Sequence, residues 1–152
     1  MEIHQSAVIL LLILSISSFT HGQPPAHIKP RYEKFLKQHY NPDMTVQKCD
    51  TVIRANRDFI HSETENGCKK INTFIKANSN DIKAVCGKAG KPYRNMVAST
   101  KPFSVVTCKL HSGDTHPNCK YRGVQDTRYI VLACEHGWPV HYDEGIYKPN
   151  GS

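Results

Sequence analysis

The sequence predicts one α+β domain in which short helices precede antiparallel strands. Helical patterns occupy residues 31–40, 45–59 and about 79–86. Beyond Pro102, apolar residues recur at every second position and β-branched residues become frequent, which is the pattern of strands. Helices early and strands late, in short units, favour the α+β class. The sequence contains no internal repeat and no sign of a second domain.

Residues 1–22 have the pattern of a secretory signal peptide. An unbroken apolar run from Val8 to Leu14 is followed by serine and isoleucine and then by a small-residue end at Thr20-His21-Gly22. The run is too short to span a bilayer, which speaks against the alternative of a membrane anchor, and no later stretch approaches about 20 apolar residues. We therefore expect cleavage near Gly22, secretion, and a mature domain of residues 23–152.

The six cysteines predict disulfide bonds. All lie in the expected mature part, at positions 49, 68, 86, 108, 119 and 134, and none forms a Cys-x-x-Cys pair. Zinc sites usually show ligands two to four residues apart, so we expect neither a metal nor another cofactor. An even count behind a signal peptide indicates disulfides. Spacing alone does not choose among the pairings.

The chain is strongly basic. Its formal net charge is +7, and loss of Glu2 with the signal peptide raises the charge to +8. Such a charge favours polyanionic partners, which are nucleic acids, heparin-like glycans or anionic membrane surfaces. The alternative is that the charge only maintains solubility.

The first helical pattern, 31–40, carries a histidine on its apolar face. Phe35 and His39 lie four residues apart and therefore share that face. Lys34 and Gln38 flank the histidine with donors suited to a phosphate. The alternative for His39 is a core histidine without chemical function.

The stretch after the second helical pattern places a lysine beside a cysteine. Asn66-Gly67 is a turn signal, and the following residues to Ile75 have the pattern of a strand. A disulfide through Cys68 would fix the start of the strand. Lys69 would then be held in a fixed position, which is useful where the lysine must neutralise a specific negative charge.

The later strands are predicted at 103–110, 119–122, 128–134 and 139–143, after a third helix closed by Gly87 and by 90–92. In the last strand, alternation places His141 and Asp143 on one face. A carboxylate there accepts from one imidazole nitrogen and directs the other toward a substrate. The alternative is a surface pair without consequence.

Cleavage of RNA without a metal needs these residue types. The ribose 2′-hydroxyl attacks the adjacent phosphorus, so a base must take its proton and an acid must protonate the leaving 5′-oxygen. Histidine suits both tasks because its pKa lies near the working pH. A fixed lysine offsets the charge that develops on the phosphoryl oxygens. DNA lacks the nucleophile, so it should bind without being cut.

Three separated motifs together resemble the pancreatic-type ribonuclease (ribonuclease A) superfamily over essentially the whole mature chain. They are Lys34-Phe35-x-x-Gln38-His39, Cys68-Lys69-x-x-Asn72-Thr73-Phe74 and Pro139-Val140-His141-Tyr142-Asp143. The six cysteines are similar to the angiogenin branch, and fish members have this appearance. The resemblance implies a ribonuclease A-like fold with three short helices, a bent antiparallel sheet and three disulfides.

The resemblance also implies roles for individual residues. His39 corresponds to the general base, His141 to the general acid and Lys69 to the cation that stabilises the transition state. The implied substrate contacts are Gln38 at the phosphate, Thr73 at the pyrimidine, Asp143 behind His141, Glu135 near the second base, Lys34 or Lys37 at the next phosphate, and Tyr142. The implied disulfides are Cys49–Cys108, Cys68–Cys119 and Cys86–Cys134, with a cis bond at His116–Pro117.

Glu144 departs from the pattern of the digestive enzymes. It stands where angiogenin-type proteins carry a residue that obstructs the pyrimidine pocket, and Thr107 replaces an acid that supports the base-reading threonine. The resemblance therefore implies a weaker activity than that of a digestive ribonuclease.

These features predict a secreted, monomeric endoribonuclease that cleaves single-stranded RNA 3′ of pyrimidines through a 2′,3′-cyclic phosphate. One alternative is a cationic antibacterial protein that acts on anionic bacterial surfaces. Another is an angiogenin-like ligand that binds a cell-surface receptor and reaches the nucleus or nucleolus. The resemblance also implies that ribonuclease inhibitor is a partner.

Overall fold

The structure, a computed structural model, describes residues 22–149. The predicted signal peptide, apart from Gly22, lies outside the described residues. No helix among the described residues is long and apolar enough to cross a membrane. The helices of this part are α1 (Lys29–His39), α2 (Cys49–Ala55), which follows a 3₁₀ turn at Val46–Lys48, and α3 (Ser79–Ala84).

Helix α1 matches the sequence prediction closely, whereas α2 is shorter than predicted. Pro30 lies in the first turn of α1, where its missing N–H costs nothing, and the extended backbone of Tyr40 ends the helix. The predicted helix at 45–59 stops at Ala55. There the side chain of Asn56 donates to the carbonyl of Val52 at 3.1 Å, which is the local bonding by which asparagine competes with a helix.

Seven antiparallel strands form two sheets in the described chain. The first has the order β1-β4-β5, and the second has the order β2-β3-β6-β7. The strands are β1 (Ile71–Ile75), β2 (Gly90–Tyr93), β3 (Met96–Ser99), β4 (Phe103–Ser112), β5 (Lys120–Arg128), β6 (Val131–Glu135) and β7 (Trp138–Tyr142). The α+β class is confirmed, and the hairpin β2–β3 is an addition that the sequence patterns did not predict.

Strand β1 lies between two halves of the core. Phe74 packs into one buried cluster with Val106, and Ile75 packs into the other with Phe35 and Val105. Because successive side chains of a strand point to opposite faces, both faces of β1 are covered from residue 72 to residue 75, whereas Ile71 at its start is exposed. The strand is therefore a rigid support for the residues that it carries.

Three disulfides join the helices and loops to the sheets. They connect Cys49 with Cys108, Cys68 with Cys119 and Cys86 with Cys134, at Cα–Cα distances of 5.8, 5.6 and 5.9 Å. These are the pairs that the family resemblance implies, and the His116–Pro117 bond is cis. The second disulfide ties down the residue directly before Lys69.

Candidate active site

His39 is held by a hydrogen bond from α1 to β1. Its Nδ1 lies 2.8 Å from the carbonyl oxygen of Thr73, and the side chain is almost fully buried, with 4% exposed. A carbonyl oxygen only accepts, so Nδ1 carries the hydrogen and donates it. The lone pair of Nε2 is then free to take a proton from a substrate.

The surroundings of His39 keep the imidazole neutral. Burial lowers its pKa from 6.5 to about 3, and the hydrogen bond to Thr73 opposes this fall only in part. Smaller contributions from the positive charges of Lys69 and His141 are part of the same fall in pKa. A neutral imidazole near pH 7 is the protonation state that a general base requires, but a pKa of about 3 lies far below the working pH, so the imidazole is a weak base in this arrangement.

Lys69 is fixed by a chain of hydrogen bonds that leads back to α1. Its Nζ donates to Oδ1 of Asn72 at 2.8 Å, and Nδ2 of the fully buried Asn72 donates to the carbonyl oxygen of Gln38 at 2.8 Å. Burial lowers the pKa of Lys69, Glu144 opposes this fall, and Lys34 adds to it. The ammonium group is therefore positioned before any substrate arrives.

His141 lies on β7 and faces the same cleft as His39 and Lys69. The cleft has a volume of about 740 Å³. Its lining includes Arg31, Lys34, Gln38, His39, Lys69, His141, Tyr142, Asp143 and Glu144. The fold thus brings together the three residues predicted for catalysis, from α1, the segment directly before β1, and β7.

Several predicted substrate contacts have other partners. The side chain of Gln38 donates to the carbonyl oxygen of Phe59 at 2.7 Å, a bond that no local sequence pattern predicts. Glu135 forms an ion pair with Arg31. Lys37, in contrast to Lys34, does not line the cleft.

Asp143 lies beside His141 but forms its hydrogen bond elsewhere. Its Oδ1 accepts from the backbone N–H of Gly145 at 2.8 Å. No hydrogen bond joins Asp143 to His141 among residues 22–149. The predicted orientation of His141 by Asp143 is therefore not made in this conformation.

Thr73, the predicted reader of the pyrimidine, is occupied by Glu144. The backbone N–H of Thr73 donates to Oε1 of Glu144 at 2.9 Å, and its hydroxyl donates to Oε2 at 2.7 Å. Thr107 lies behind, with its hydroxyl 3.2 Å from that of Thr73. The donor pair that would bind a base is thus closed by a side chain of the protein itself.

Tyr142 lines the active-site cleft, and Arg128 lies behind it without lining that cleft. The ring of Tyr142 lies 5.0 Å from that of His39, and the side chains of Thr73 and Arg128 lie near its hydroxyl. Burial, with a smaller contribution from Glu144, raises the pKa of Tyr142 to about 12. Arg128 also pairs with Asp126 at 3.2 Å, and its buried Nε has no partner among the described residues. Sequence patterns did not predict that Arg128 lies near Tyr142, because its position depends on the pairing of β4 with β5.

Comparison with known proteins agrees with this fold and site. The family model for pancreatic ribonuclease matches residues 30–143. The chain is similar to ribonuclease-like 3 of Danio rerio, with 46% identity over 96% of this chain and 99% of that protein. It is similar also to mouse angiogenin-4, with 37% identity over 91% of this chain and 95% of that protein. The X-ray structure of zebrafish RNase5 matches with a TM-score of 0.78 and 54% identity, over 81% of this chain and 100% of that one.

The α+β fold with two histidines and a lysine in one cleft defines a protein of the ribonuclease A-like class. The chain belongs to the pancreatic ribonuclease family. It is a pancreatic-type endoribonuclease with angiogenin-like relationships, in a family whose members are typically secreted.

Proposed function

We propose that the protein cleaves single-stranded RNA on the 3′ side of pyrimidines without a metal. The observation that carries this proposal is the single cleft that holds His39, Lys69 and His141, with Nδ1 of His39 bonded to Thr73 so that Nε2 is left for the substrate. A neutral base, a fixed cation and an exposed second histidine are the groups that this reaction requires.

The reaction proceeds by transphosphorylation. Nε2 of His39 takes the proton of the 2′-hydroxyl as that oxygen attacks the phosphorus. Lys69 stabilises the charge that develops on the phosphoryl oxygens. His141 gives a proton to the departing 5′-oxygen, which leaves a 2′,3′-cyclic phosphate. Hydrolysis of the cyclic phosphate then uses the two histidines in exchanged roles.

Recognition of the base requires Glu144 to leave Thr73. The N–H and hydroxyl of Thr73 match the O2 and N3 edge of a pyrimidine, but both donate to the carboxylate. Each protein molecule must break these two hydrogen bonds before it binds a base. The apparent affinity for the base is therefore reduced in proportion to the small fraction of molecules in which the pocket is open. The proposed activity is therefore low.

The test is cleavage of tRNA and poly(C) by purified protein and by His39→Ala and His141→Ala variants. We expect each variant to lose about 10²-fold to 10⁴-fold in rate, the range of general acid–base catalysis. His136→Ala, at an exposed position outside the cleft, is the matched control and should keep full activity. Intact RNA with the unaltered protein would refute the enzyme proposal, and full activity in either catalytic variant would refute its assigned role.

A second candidate function, binding to anionic bacterial surfaces, is favoured by the face of the β1-β4-β5 sheet. Lys109 lies directly opposite Arg122, and like charges so placed are destabilising. On the same face, Ile71 is 44% exposed and Val124 is 45% exposed. Cations mixed with exposed apolar side chains suit an anionic membrane surface.

Bacterial killing by a His141→Ala variant separates this function from RNA cleavage. Killing should persist in that variant and fall in Lys109→Gln/Arg122→Gln, and the reverse pattern would contradict the proposal.

Receptor binding, nuclear uptake and binding to ribonuclease inhibitor rest on the family resemblance alone and stay predictions.

A further inference from the structure

A second cleft lies beside α3 and shares no lining residue with the active-site cleft. Its volume is about 640 Å³, within the range of small-molecule sites. The apolar part of its lining consists of Ala77, Ala84, Ala89, Pro102 and Phe103. Phe103 and Ala77 also pack against the core, so this lining is supported from behind.

The backbone around the cleft is held by hydrogen bonds. The N–H of Lys76 donates to the carbonyl oxygen of Ser104 at 2.9 Å, which joins the end of β1 to β4. The N–H of Thr100 donates to the carbonyl oxygen of Ala89 at 2.9 Å, which joins the segment before β4 to the segment after α3. The walls of the cleft are thus held in place by the backbone hydrogen bonds of the fold.

Three lysines surround this apolar lining. They are Lys76, Lys88 and Lys101, and the lining contains one carboxylate, that of Asp81. Nζ of Lys76 donates to the neutral amide oxygen of Gln125 at 3.3 Å. In the described part of the chain none of the three lysines pairs with a carboxylate. The cleft therefore has excess positive charge that an anionic ligand would neutralise.

We propose that this cleft binds a nucleoside polyphosphate. The phosphates of such a ligand would bind the ammonium groups of the three lysines, none of which pairs with a carboxylate among the described residues. Its flat base would pack against the side chains of Phe103 and Pro102. The site is separate from the catalytic residues, so its occupation is independent of RNA cleavage.

The test is a titration of isotope-labelled protein with ATP, followed by the backbone amide signals in NMR spectra. We expect saturable shifts at Ala77, Ala89 and Ser104, distinguishable from any shifts at His39 and His141. Adenosine and inorganic tripolyphosphate, titrated separately, should each bind more weakly than ATP because each offers only one of the two matching parts.

Lys88→Gln/Lys101→Gln should weaken the binding of ATP at this cleft by about tenfold or more. Both lysines are exposed, so folding should persist. Lys120→Gln/Lys148→Gln is the matched control, because it removes the same charge at exposed positions elsewhere. Shifts confined to the active site, or equal binding by the two double variants, would overturn the proposal. Neither result depends on whether the protein cleaves RNA.

Discussion

Glu144 accepts both hydrogen bonds that Thr73 has to offer a base, at 2.9 Å from the backbone N–H and 2.7 Å from the hydroxyl. The same carboxylate opposes the fall in the pKa of Lys69. One side chain therefore closes the base pocket and also influences the cation of the catalytic site. This coupling is the feature that most distinguishes the site from an open ribonuclease cleft.

Removal of this carboxylate should open the pocket. We expect Glu144→Ala to raise kcat/KM on a cytidine-containing dinucleotide by about tenfold, since a hydrogen bond to a charged group contributes about 1.5 kcal/mol or more. Glu144→Gln keeps an acceptor without the charge, so its gain should be smaller. The measurement is steady-state cleavage of the dinucleotide. An unchanged rate in Glu144→Ala would show that the contact does not limit binding of the base.

Replacement of Lys69 should reduce catalysis more than stability. Lys69→Gln removes the charge that Asn72 aligns, and we expect the single-turnover rate to fall by about 10²-fold to 10³-fold. The free energy of unfolding should change little, because a partly buried ammonium costs solvation that the variant regains. Lys70→Gln is the control, since that neighbouring lysine is exposed. Equal losses in the two variants would contradict a specific role for Lys69.

The hydroxyl of Tyr142 should be detectable by its ionisation. The protein contains seven tyrosines, and burial raises the pKa of this one to about 12. An alkaline absorbance titration should show a late phase near that pH, and Tyr142→Phe should remove it. Persistence of the late phase in Tyr142→Phe would refute the assignment.

The helix α1 and the strand β1 could be predicted from sequence because their signals are local. Spacing of four places His39 with Phe35 on one face, and both are buried. The turn Asn66-Gly67 and the apolar run that follows indicate β1. That Lys69 and His141 meet His39 in one cleft was available only through the family resemblance, since no local pattern measures a distance across the fold.

The hairpin β2–β3 was missed for a physical reason. Gly90 and Pro92 are typical signals for the end of a helix, and proline cannot donate to a strand pair. In the structure β2 is the edge strand of its sheet, where a missing donor is tolerated. The bond from Gln38 to Phe59 and that from Thr73 to Glu144 were likewise beyond local patterns, since each joins residues distant in the chain.

The buried His39 makes stability depend on pH in a predictable direction. Its pKa is about 3 in the folded state and near 6.5 in the unfolded chain. Above pH 6.5 the imidazole is neutral in both states, so its contribution to stability is fully present. As the pH falls from 6.5 toward 3, the unfolded chain binds a proton that the folded protein does not bind, and stability is lost. This loss amounts to about 2 kcal/mol at pH 5.

Urea unfolding of the protein and of His39→Gln at pH 7 and pH 5 measures this contribution. The variant should start from a lower stability because its side chain packs differently, but it should lose about 2 kcal/mol less between the two pH values. His136→Gln, at an exposed position, should keep the pH dependence of the unaltered protein. If His39→Gln loses as much stability as the unaltered protein, the imidazole accepts a proton in the folded state near its ordinary pKa. The imidazole of His39 would then be neutral at pH 7 because that pH exceeds its ordinary pKa, and not because burial lowers its pKa.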